Sequence, residues 1–341
     1  MRALSITTFA AALLAVAVAG TPTIDKNTLT VSGISAGAAM AVQYQVANSA
    51  RIRAAGIIAG LPYYCAQMSS LSGAFECMDD PETINVQTLD WEMNTSATEG
   101  NIDPVANLEN HAVMLFSGVF DTVVNQGSMK KLAQQYQNVR VARLQTYFNY
   151  SAEHAWITNS YGNACSHLGT PFINNCGLDF AGEFLEMAFA QMGETFNHNK
   201  SAFVAANLKT FSQADFGADA FTNSLDSTGY YYVPAACAAS APAANKCHVH
   251  VNFHGCEQQK AAIGDTYVSH TGLNEWAESN NVIVIYPQAT ANALAENPKA
   301  CFDWWGYTGE HYADKYGAQI AFTNAVVARL METGSLPAAS W

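Results

Sequence analysis

The stretch VSGISAGAAM, residues 31–40, decides the fold because it sets a serine between a strand-like and a helix-like segment. The run TLTVSG, which ends two residues before this serine, is typical of a β-strand. The run AGAAMAVQYQVANSA, which begins directly after the serine, has helical spacing. Gly33 and Gly37 flank Ser35 in the pattern G-x-S-x-G. In this strand–turn–helix context the pattern predicts a nucleophile elbow, a strained turn that exposes the serine hydroxyl. A glycine-rich loop that only packs is the alternative interpretation.

The rest of the chain alternates strand-like and helix-like segments. The strand-like runs include AAGIIAG, HAVMLFSG, VRVARLQTYF, CHVHVNFHG and VIVIYPQ. Helical runs such as QGSMKKLAQQYQ and GAQIAFTNAVVARLMETG lie between or after them. This alternation predicts the α/β class, with a mostly parallel sheet and helices on both faces. No internal repeat or long Pro/Gly/Ser linker divides the chain, so we expect residues 20–341 to form a single catalytic domain.

Residues 1–19 have the pattern of a secretory signal peptide. Arg2 supplies the positive charge, residues 9–18 the apolar segment, and residues 17–19 (Ala-Val-Ala) a cleavage site of small residues. The alternative interpretation is a membrane anchor, for which the apolar run is too short. We therefore expect a secreted, extracellular protein.

Composition and charge disfavour several classes of partner. Charged residues make up 13% of the 341 residues, whereas about 25% is usual. The formal net charge is −13. Such a surface disfavours nucleic acid and anionic membranes, because both bind basic patches. We expect a monomer with no nucleic-acid or membrane partner, and a neutral, apolar ester remains a compatible substrate.

Eight cysteines in a secreted chain predict disulfides. They fall as near neighbours along the chain: Cys65 and Cys77, Cys165 and Cys176, Cys237 and Cys247, and Cys256 and Cys301. Spacing alone leaves their pairing open. A zinc site is the rival interpretation, but the chain contains no C-x-x-C pair, so we expect no metal.

Two later residues fit the partners that a catalytic serine needs, namely a base and a carboxylate that orients the base. Asp121 follows the strand HAVMLFSG, at the sheet edge where ligands bind. Its alternative role is a turn or helix-cap aspartate. His154 follows the strand VRVARLQTYF, and the order strand–Asp–helix–strand–His selects it over His167.

The segment VHVNFHGC, residues 249–256, has an unexpected position in the order of the chain. In α/β hydrolases a strand ending in His-Gly often supplies the oxyanion-hole loop, and it normally precedes the nucleophile. Here it follows all three candidate residues, and the strand VIVIYPQ and the C-terminal helix come after it. The simplest account is a circularly permuted α/β-hydrolase fold, which is tolerable because chain termini often lie close together.

These segments together resemble a known family. VSGISAGAAM, SGVFDTVV, EHAW and HGCEQ…CFDWWG are similar to the secreted, single-domain poly(3-hydroxybutyrate) depolymerases of fungal type, within the esterases that include feruloyl esterases. The resemblance covers nearly all of the mature chain. It implies Ser35 as nucleophile, His154 as base and Asp121 as the residue that orients the base.

The resemblance also implies the supporting parts of the site. Backbone N–H groups of Ala36 and Cys256 would form the oxyanion hole. The disulfides would pair in sequence order, and the bridge from Cys256 to Cys301 would brace the oxyanion loop. Trp304, Trp305 and Tyr307 follow that cysteine. We therefore expect these aromatic rings near the cleft as flat apolar contacts for substrate, with burial in the core as the alternative.

The function expected from this resemblance is extracellular hydrolysis of 3-hydroxybutyrate polymers or oligomers through an acyl-enzyme, without a metal or organic cofactor. A feruloyl or acetyl carbohydrate esterase is an alternative with the same chemistry. A secreted binding protein that kept the fold without catalysis is a third reading, against which the complete set of candidate residues argues. A peptidase is disfavoured, because nothing in the sequence indicates a site for an amine leaving group.

Overall fold

The computed structural model describes residues 23–67, 74–242 and 244–339. The expected signal peptide, residues 1–19, lies outside this range. The described strands are β1 (Thr23–Ile34), β2 (Ile52–Ile58), β3 (Ala112–Phe116), β4 (Arg143–Tyr147), β5 (Trp156–Thr158), β6 (Asn163–Ala164), β7 (Ile173–Asn175), β8 (Leu208–Ser212), β9 (Thr228–Tyr232), β10 (Lys246–Phe253) and β11 (Val282–Tyr286).

Helices connect most of these strands. The described α-helices are α1 (Ala36–Ala47), α2 (Glu76–Asp79), α3 (Val86–Thr98), α4 (Gln126–Asn138), α5 (Phe180–Met192), α6 (Lys260–Ile263), α7 (Thr266–His270), α8 (Leu273–Asn280) and α9 (Ala318–Thr333). Short 3₁₀ turns span Pro81–Thr83, Val105–Asn110, Ala205–Asn207, Ala214–Phe216, Ala235–Cys237 and Ala293–Ala295. Within the described ranges, no helix combines the length and the apolar character that crossing a bilayer requires.

The main sheet has eight strands in the order β4-β3-β2-β1-β10-β11-β9-β8. Along this order, each pair of neighbouring strands from β4 to β11 is parallel. The last two pairings, β11 with β9 and β9 with β8, are antiparallel. A small parallel sheet follows the order β5-β7-β6. The prediction of an α/β fold with a mostly parallel sheet is confirmed.

Both faces of the main sheet are covered, because successive side chains along a strand point to opposite faces. Val113 and Leu115 of β3 join the apolar cluster that contains residues of α1, α4 and α9. Met114 and Phe116 join a second cluster that contains residues of α5 and α8. The two clusters form the core on either side of the sheet, and this accounts for the continuous apolar runs of its strands.

The cysteines pair in sequence order, as the family resemblance implies. The bridges are Cys65–Cys77, Cys165–Cys176, Cys237–Cys247 and Cys256–Cys301. No free cysteine remains among the described residues. The first three bridges close loops of 10 to 12 residues, whereas the last spans 45 residues. That longer bridge fixes two distant loops to each other at the carboxyl end of β10.

Three histidines are buried in the core in the neutral form. His250 lies between two hydroxyls, 2.8 Å from Thr30 Oγ1 and 2.7 Å from Ser32 Oγ. Burial lowers the pKa of His250 to about 3, and it lowers the pKa values of His111 and His254 to about 4. Protonation of these imidazoles therefore opposes folding.

We predict that acid weakens the fold before the carboxylates titrate. The unfolded chain protonates histidine near pH 6.5, about the usual value, whereas the folded chain resists protonation until pH 4 or below. The folded state binds fewer protons in this window, so the free energy of unfolding rises with pH across it and falls on acidification. Urea titrations between about pH 7.5 and pH 4.5 measure this slope.

The variant His111→Gln should flatten the pH dependence, since it removes one of the depressed groups. The matched control is His198→Gln, at a histidine whose side chain is 68% exposed, and it should keep the wild-type slope. An identical slope in the wild type and in His111→Gln would contradict the prediction.

Candidate active site

Ser35 lies in a strained turn between β1 and α1. Its backbone has φ 56° and ψ −127°, in a region that non-glycine residues rarely adopt. The Ser35 N–H donates to the Ile58 carbonyl at 2.9 Å, and the Ser35 carbonyl accepts from the Ala39 N–H at 3.0 Å. These bonds fix the turn to β2 and to the first turn of α1. Ser35 is partly exposed, as the elbow interpretation requires.

Gly33 and Gly37 occupy positions where no side chain fits. A Cβ atom on Gly33 would lie 2.2 Å from the Gly37 carbonyl oxygen. A Cβ atom on Gly37 would lie 2.3 Å from the carbonyl oxygens of Phe253 and His254. The two glycines therefore let the start of α1 touch the end of β10, which brings Ser35 against the loop that carries His-Gly-Cys.

Asp121 and His154 contact each other directly. The Nδ1 atom of His154 lies 2.9 Å from Asp121 Oδ2 and 3.2 Å from Oδ1. Since Asp121 Oδ1 also accepts the N–H groups of Val123 and Val124, at 2.9 and 2.8 Å, the carboxylate is fixed in orientation. An ionised carboxylate only accepts hydrogen bonds, so Nδ1 carries the proton and Nε2 is left as the basic nitrogen.

The sheet order explains this meeting. Asp121 follows β3 and His154 follows β4, and these strands are parallel neighbours. Their carboxyl ends therefore lie at one edge, and the loops that follow them touch. Both side chains are almost wholly buried, with 6% exposure for His154 and 1% for Asp121.

Ser35 and His154 line one cavity of about 410 Å³. Its wall is mostly apolar and includes Leu61, Met78, Val124, Leu168, Phe172 and Trp304. In the described part of the chain, no hydrogen bond joins the Ser35 hydroxyl to the imidazole. Contacts of this kind are often long before substrate binds and tighten in the Michaelis complex.

Ala36 and Cys256 also line this cavity, and neither backbone N–H group donates a hydrogen bond among the described residues. Ala36 is the first residue of α1, and N–H groups at a helix start have no intrahelical partner. A Cβ atom on Gly255 would lie 3.2 Å from Ser35 Cβ, so the loop that carries Cys256 touches the elbow. Both donors are therefore available to an oxygen held at Ser35.

Gln258 fixes this loop, although sequence reasoning did not single it out. Its Oε1 accepts the Gly255 N–H at 2.8 Å, and its Nε2 donates to the carbonyls of Pro171 and Phe172, both at 3.0 Å. Gln258 is 1% exposed. The signal was present in the motif HGCEQ, as an amide three residues after the glycine.

The bridge Cys256–Cys301 joins this loop to the aromatic segment. Trp304 and Trp305 line the cavity, although they are only 6% and 4% exposed. Asp303, which sequence reasoning missed, shapes this segment from inside the core. Its carboxylate accepts the backbone N–H groups of Trp305, Gly306, Tyr307 and Thr308 and the Thr308 hydroxyl.

Tyr307 differs from the two tryptophans, because it does not line the cavity. Its hydroxyl donates to the Cys301 carbonyl at 2.8 Å and accepts from Asn297 Nδ2 and Gln319 Nε2, at 3.2 and 2.8 Å. The structure therefore places the Tyr307 hydroxyl behind the cavity wall, where it supports the loop and does not face a bound ligand.

The described residues contain no group of three or more His, Cys, Asp or Glu side chains placed to hold a metal ion. The polar or charged residues that line the cavity are Ser35, His154, Glu257, Gln258, Glu296, Asn297 and Lys299.

Comparison with known proteins gives several matches, although no family model matches the chain. A poly(3-hydroxybutyrate) depolymerase of Delftia acidovorans is 41% identical over 310 residues, which are 90% of this chain and 60% of the relative. The chain thus spans 60% of the length of that relative. A polyhydroxybutyrate depolymerase of Talaromyces funiculosus is 32% identical over 317 residues, which are 87% of this chain and 88% of the relative.

Solved structures agree with these relatives. A PHB depolymerase from Penicillium funiculosum matches with a TM-score of 0.80 and 30% identity, over 92% of this chain and 98% of the matched chain. A PHB depolymerase complexed with an R3HB trimer matches with the same values. With the extent of the Talaromyces match, these findings show that the chain belongs to the poly(3-hydroxybutyrate) depolymerase family.

Proposed function

We propose that this chain is a secreted serine esterase that hydrolyses poly(3-hydroxybutyrate) or its oligomers. The observation that carries the proposal is the His154 imidazole, held by Asp121 and lining the same apolar cavity as Ser35. Membership of the depolymerase family supports the substrate class, and a related PHB depolymerase is complexed with an R3HB trimer.

In the proposed first step, Ser35 Oγ attacks the ester carbonyl carbon while His154 Nε2 takes the hydroxyl proton. Asp121 holds the Nδ1–H and stabilises the imidazolium that forms. The carbonyl oxygen becomes an oxyanion that accepts from the N–H groups of Ala36 and Cys256. In acyl-transfer enzymes one such donor is worth roughly 3 kcal/mol of transition-state stabilisation.

The imidazolium of His154 then donates its Nε2 proton to the leaving alkoxide oxygen, and the C–O ester bond breaks. The alcohol end of the substrate departs and the acyl end stays on Ser35. A water molecule attacks the acyl-enzyme while Nε2 takes its proton, which returns to Ser35 Oγ as the acid product leaves.

The cavity suits an aliphatic polyester. Its volume, about 410 Å³, falls in the range of small-molecule sites, roughly 300–1,000 Å³. Apolar side chains such as Leu61, Met78 and Val124 can contact the methyl and methylene groups of a hydroxybutyrate unit. The rings of Trp304 and Trp305 would add flat apolar surface.

Exposed apolar side chains around the cavity support adsorption to a solid polymer. Phe75 and Leu168 line the cavity and are 42% and 43% exposed. Phe120, next to Asp121, is 55% exposed. Apolar patches on a soluble protein commonly mark an interaction surface. In this proposal they hold the mouth of the cavity against the polyester.

Secretion and a permuted chain order belong to the same proposal. The four disulfides support an oxidising compartment. The end of α9 supports the permutation, because Met331 Sδ lies 3.8 Å from Arg51 Nη2, just before β2. Since β1 and β2 are parallel, α9 ends near the edge where both begin. A connection there would lead from α9 into the nucleophile strand.

The variant Asp121→Asn tests the role of the carboxylate. We expect kcat to fall by roughly 10⁴-fold, the size of the loss in a serine-hydrolase triad, because the amide favours the wrong imidazole tautomer. The matched control is Asp219→Asn in an exposed turn, where the aspartate also accepts two successive backbone N–H groups. Steady-state kinetics on a soluble ester measure both. An Asp121→Asn enzyme with more than about a tenth of wild-type kcat would contradict the assignment.

Clearing of a poly(3-hydroxybutyrate) suspension, compared with release of ferulate from methyl ferulate, tests the proposed function. We expect clearing, covalent modification of Ser35 by a fluorophosphonate, and no activity in Ser35→Ala, which should still adsorb to polymer granules. Ferulate release without clearing would favour a carbohydrate esterase. Failure of the fluorophosphonate to modify Ser35 in the native protein would overturn every esterase reading.

A further inference from the structure

Glu153 is a buried carboxylate beside the site, with no role in the mechanism above. It is 8% exposed. Its Oε2 lies 2.7 Å from the His154 backbone nitrogen and 3.2 Å from the Thr122 backbone nitrogen. Its Oε1 lies 2.6 Å from Thr122 Oγ1. One carboxylate thus accepts from three donors on two different loops.

The two loops are those that carry the acid and the base. Thr122 directly follows Asp121, and His154 directly follows Glu153. Backbone hydrogen bonds join the same loops closer to the sheet, from the Phe120 N–H to the Ala152 carbonyl at 3.1 Å. Glu153 therefore extends the connection between the loops past Asp121, to the residues that determine where the imidazole and the carboxylate lie.

This contact depends on a buried side chain that accepts hydrogen bonds from both loops. Within the described residues, none of the ion pairs involves Glu153, so the three hydrogen bonds are what compensate its burial. A buried charge without a cationic partner is costly unless hydrogen bonds satisfy it. Removal of the side chain would leave the donors of Thr122 and His154 without their acceptor, which favours movement of both loops.

We propose that Glu153 is a positioning residue, which sets the distance and the angle between Asp121 and His154 for proton transfer. This inference rests on the proposed function, since it concerns the same reaction. Glu153 does not line the cavity, so it acts through the backbone of its neighbours and not on the substrate. Its loss should therefore lower kcat with little change in KM.

The expected size follows from geometry. A displacement of a reacting group by about 1 Å can cost 10²-fold in rate. We expect Glu153→Ala to lower kcat by roughly that factor. Glu153→Gln should recover most of the loss, because its amide oxygen can accept the two backbone N–H groups and its NH₂ group can face the Thr122 hydroxyl. Thr122→Val, which removes the hydroxyl donor alone, should have the smaller effect.

The experiment measures kcat and KM for p-nitrophenyl butyrate, together with the downfield proton NMR signal of the His154 Nδ1–H. In Glu153→Ala the signal should shift or broaden, and in Glu153→Gln it should return towards its wild-type position. The double variant Thr122→Val/Glu153→Ala should be no slower than Glu153→Ala, since both changes act on one contact.

Glu278 provides the matched control. Its carboxylate also accepts from three donors, Asn207 Nδ2, the Tyr232 hydroxyl and the Ala235 N–H. It lies on α8, and neither it nor these partners line the cavity. Glu278→Gln should lower the melting temperature about as much as Glu153→Gln while kcat and the Nδ1–H signal stay unchanged.

Wild-type kcat and an unshifted Nδ1–H signal in Glu153→Ala would overturn the proposal. If that variant does not fold, wild-type kcat and an unshifted signal in Thr122→Val, which removes one of the three donors, would overturn it. A wild-type chain that hydrolyses the p-nitrophenyl ester but not the polymer contradicts only the proposed substrate. A wild-type chain inactive on both contradicts the proposed function, and the NMR comparison then still decides the role of Glu153.

Discussion

The site depends on the close approach of α1 to the end of β10. Gly37 makes this approach possible, since a Cβ atom there would lie 2.3 Å from two carbonyl oxygens of the β10 end. The contact holds the strained backbone of Ser35 beside the Gly255–Cys256 loop. It also places Ala36 and Cys256, the two residues proposed to form the oxyanion hole, in the wall of one cavity. Without it, Ser35 and Ala36 would have no fixed relation to Cys256, the other residue proposed to form the oxyanion hole.

The order of strands brings the remaining groups to the same edge. The strand of the elbow, β1, has β10 on one side and β2 on the other, and β3 and β4 follow. All five strands are parallel, so their carboxyl ends share one edge of the sheet. Asp121 and His154 therefore meet from loops that lie close together, and His154 lines the cavity. Asp121 is nevertheless 86 residues from Ser35, and His154 is a further 33 along the chain.

Buried polar contacts fix these loops in place. The carboxylate of Asp121 is held by two backbone N–H groups, Gln258 joins the Gly255 loop to residues 171–172, and the disulfide of Cys256 joins it to the aromatic segment. Such groups are costly to bury unless each finds a partner. Their satisfied geometry is what allows a small set of polar atoms to converge in a cavity whose wall is mostly apolar.

The sequence predicted the local parts of this arrangement well. The pattern around Ser35 indicated the strained turn, because its spacing of glycines has a direct steric cause, and the alternation of segments indicated the mostly parallel sheet. Contacts between distant segments left weaker signals. By sequence alone, Glu153 and Gln258 resemble ordinary loop residues. The position of Tyr307 after Cys301 predicted an aromatic ring in the cavity wall, whereas its hydroxyl donates to the Cys301 carbonyl.

The sequence also predicted some strand boundaries wrongly and did not indicate some short strands. The apolar run at residues 139–148 suggested one long strand, but Arg140 adopts φ 54° after α4, and β4 begins only at Arg143. The strands β5, β6 and β7 have two or three residues each, which is too short for a periodic pattern to show.

The measurement that tests the central claim most directly is the rate of fluorophosphonate labelling of Ser35 in the variant Gly37→Ala, with folding checked by circular dichroism. The added methyl must push α1 away from β10, so the account predicts that labelling slows by roughly 10²-fold or more. The Nδ1–H signal of His154 should persist, because Asp121 and His154 lie on other loops. A folded Gly37→Ala protein that is labelled at the wild-type rate would contradict the account.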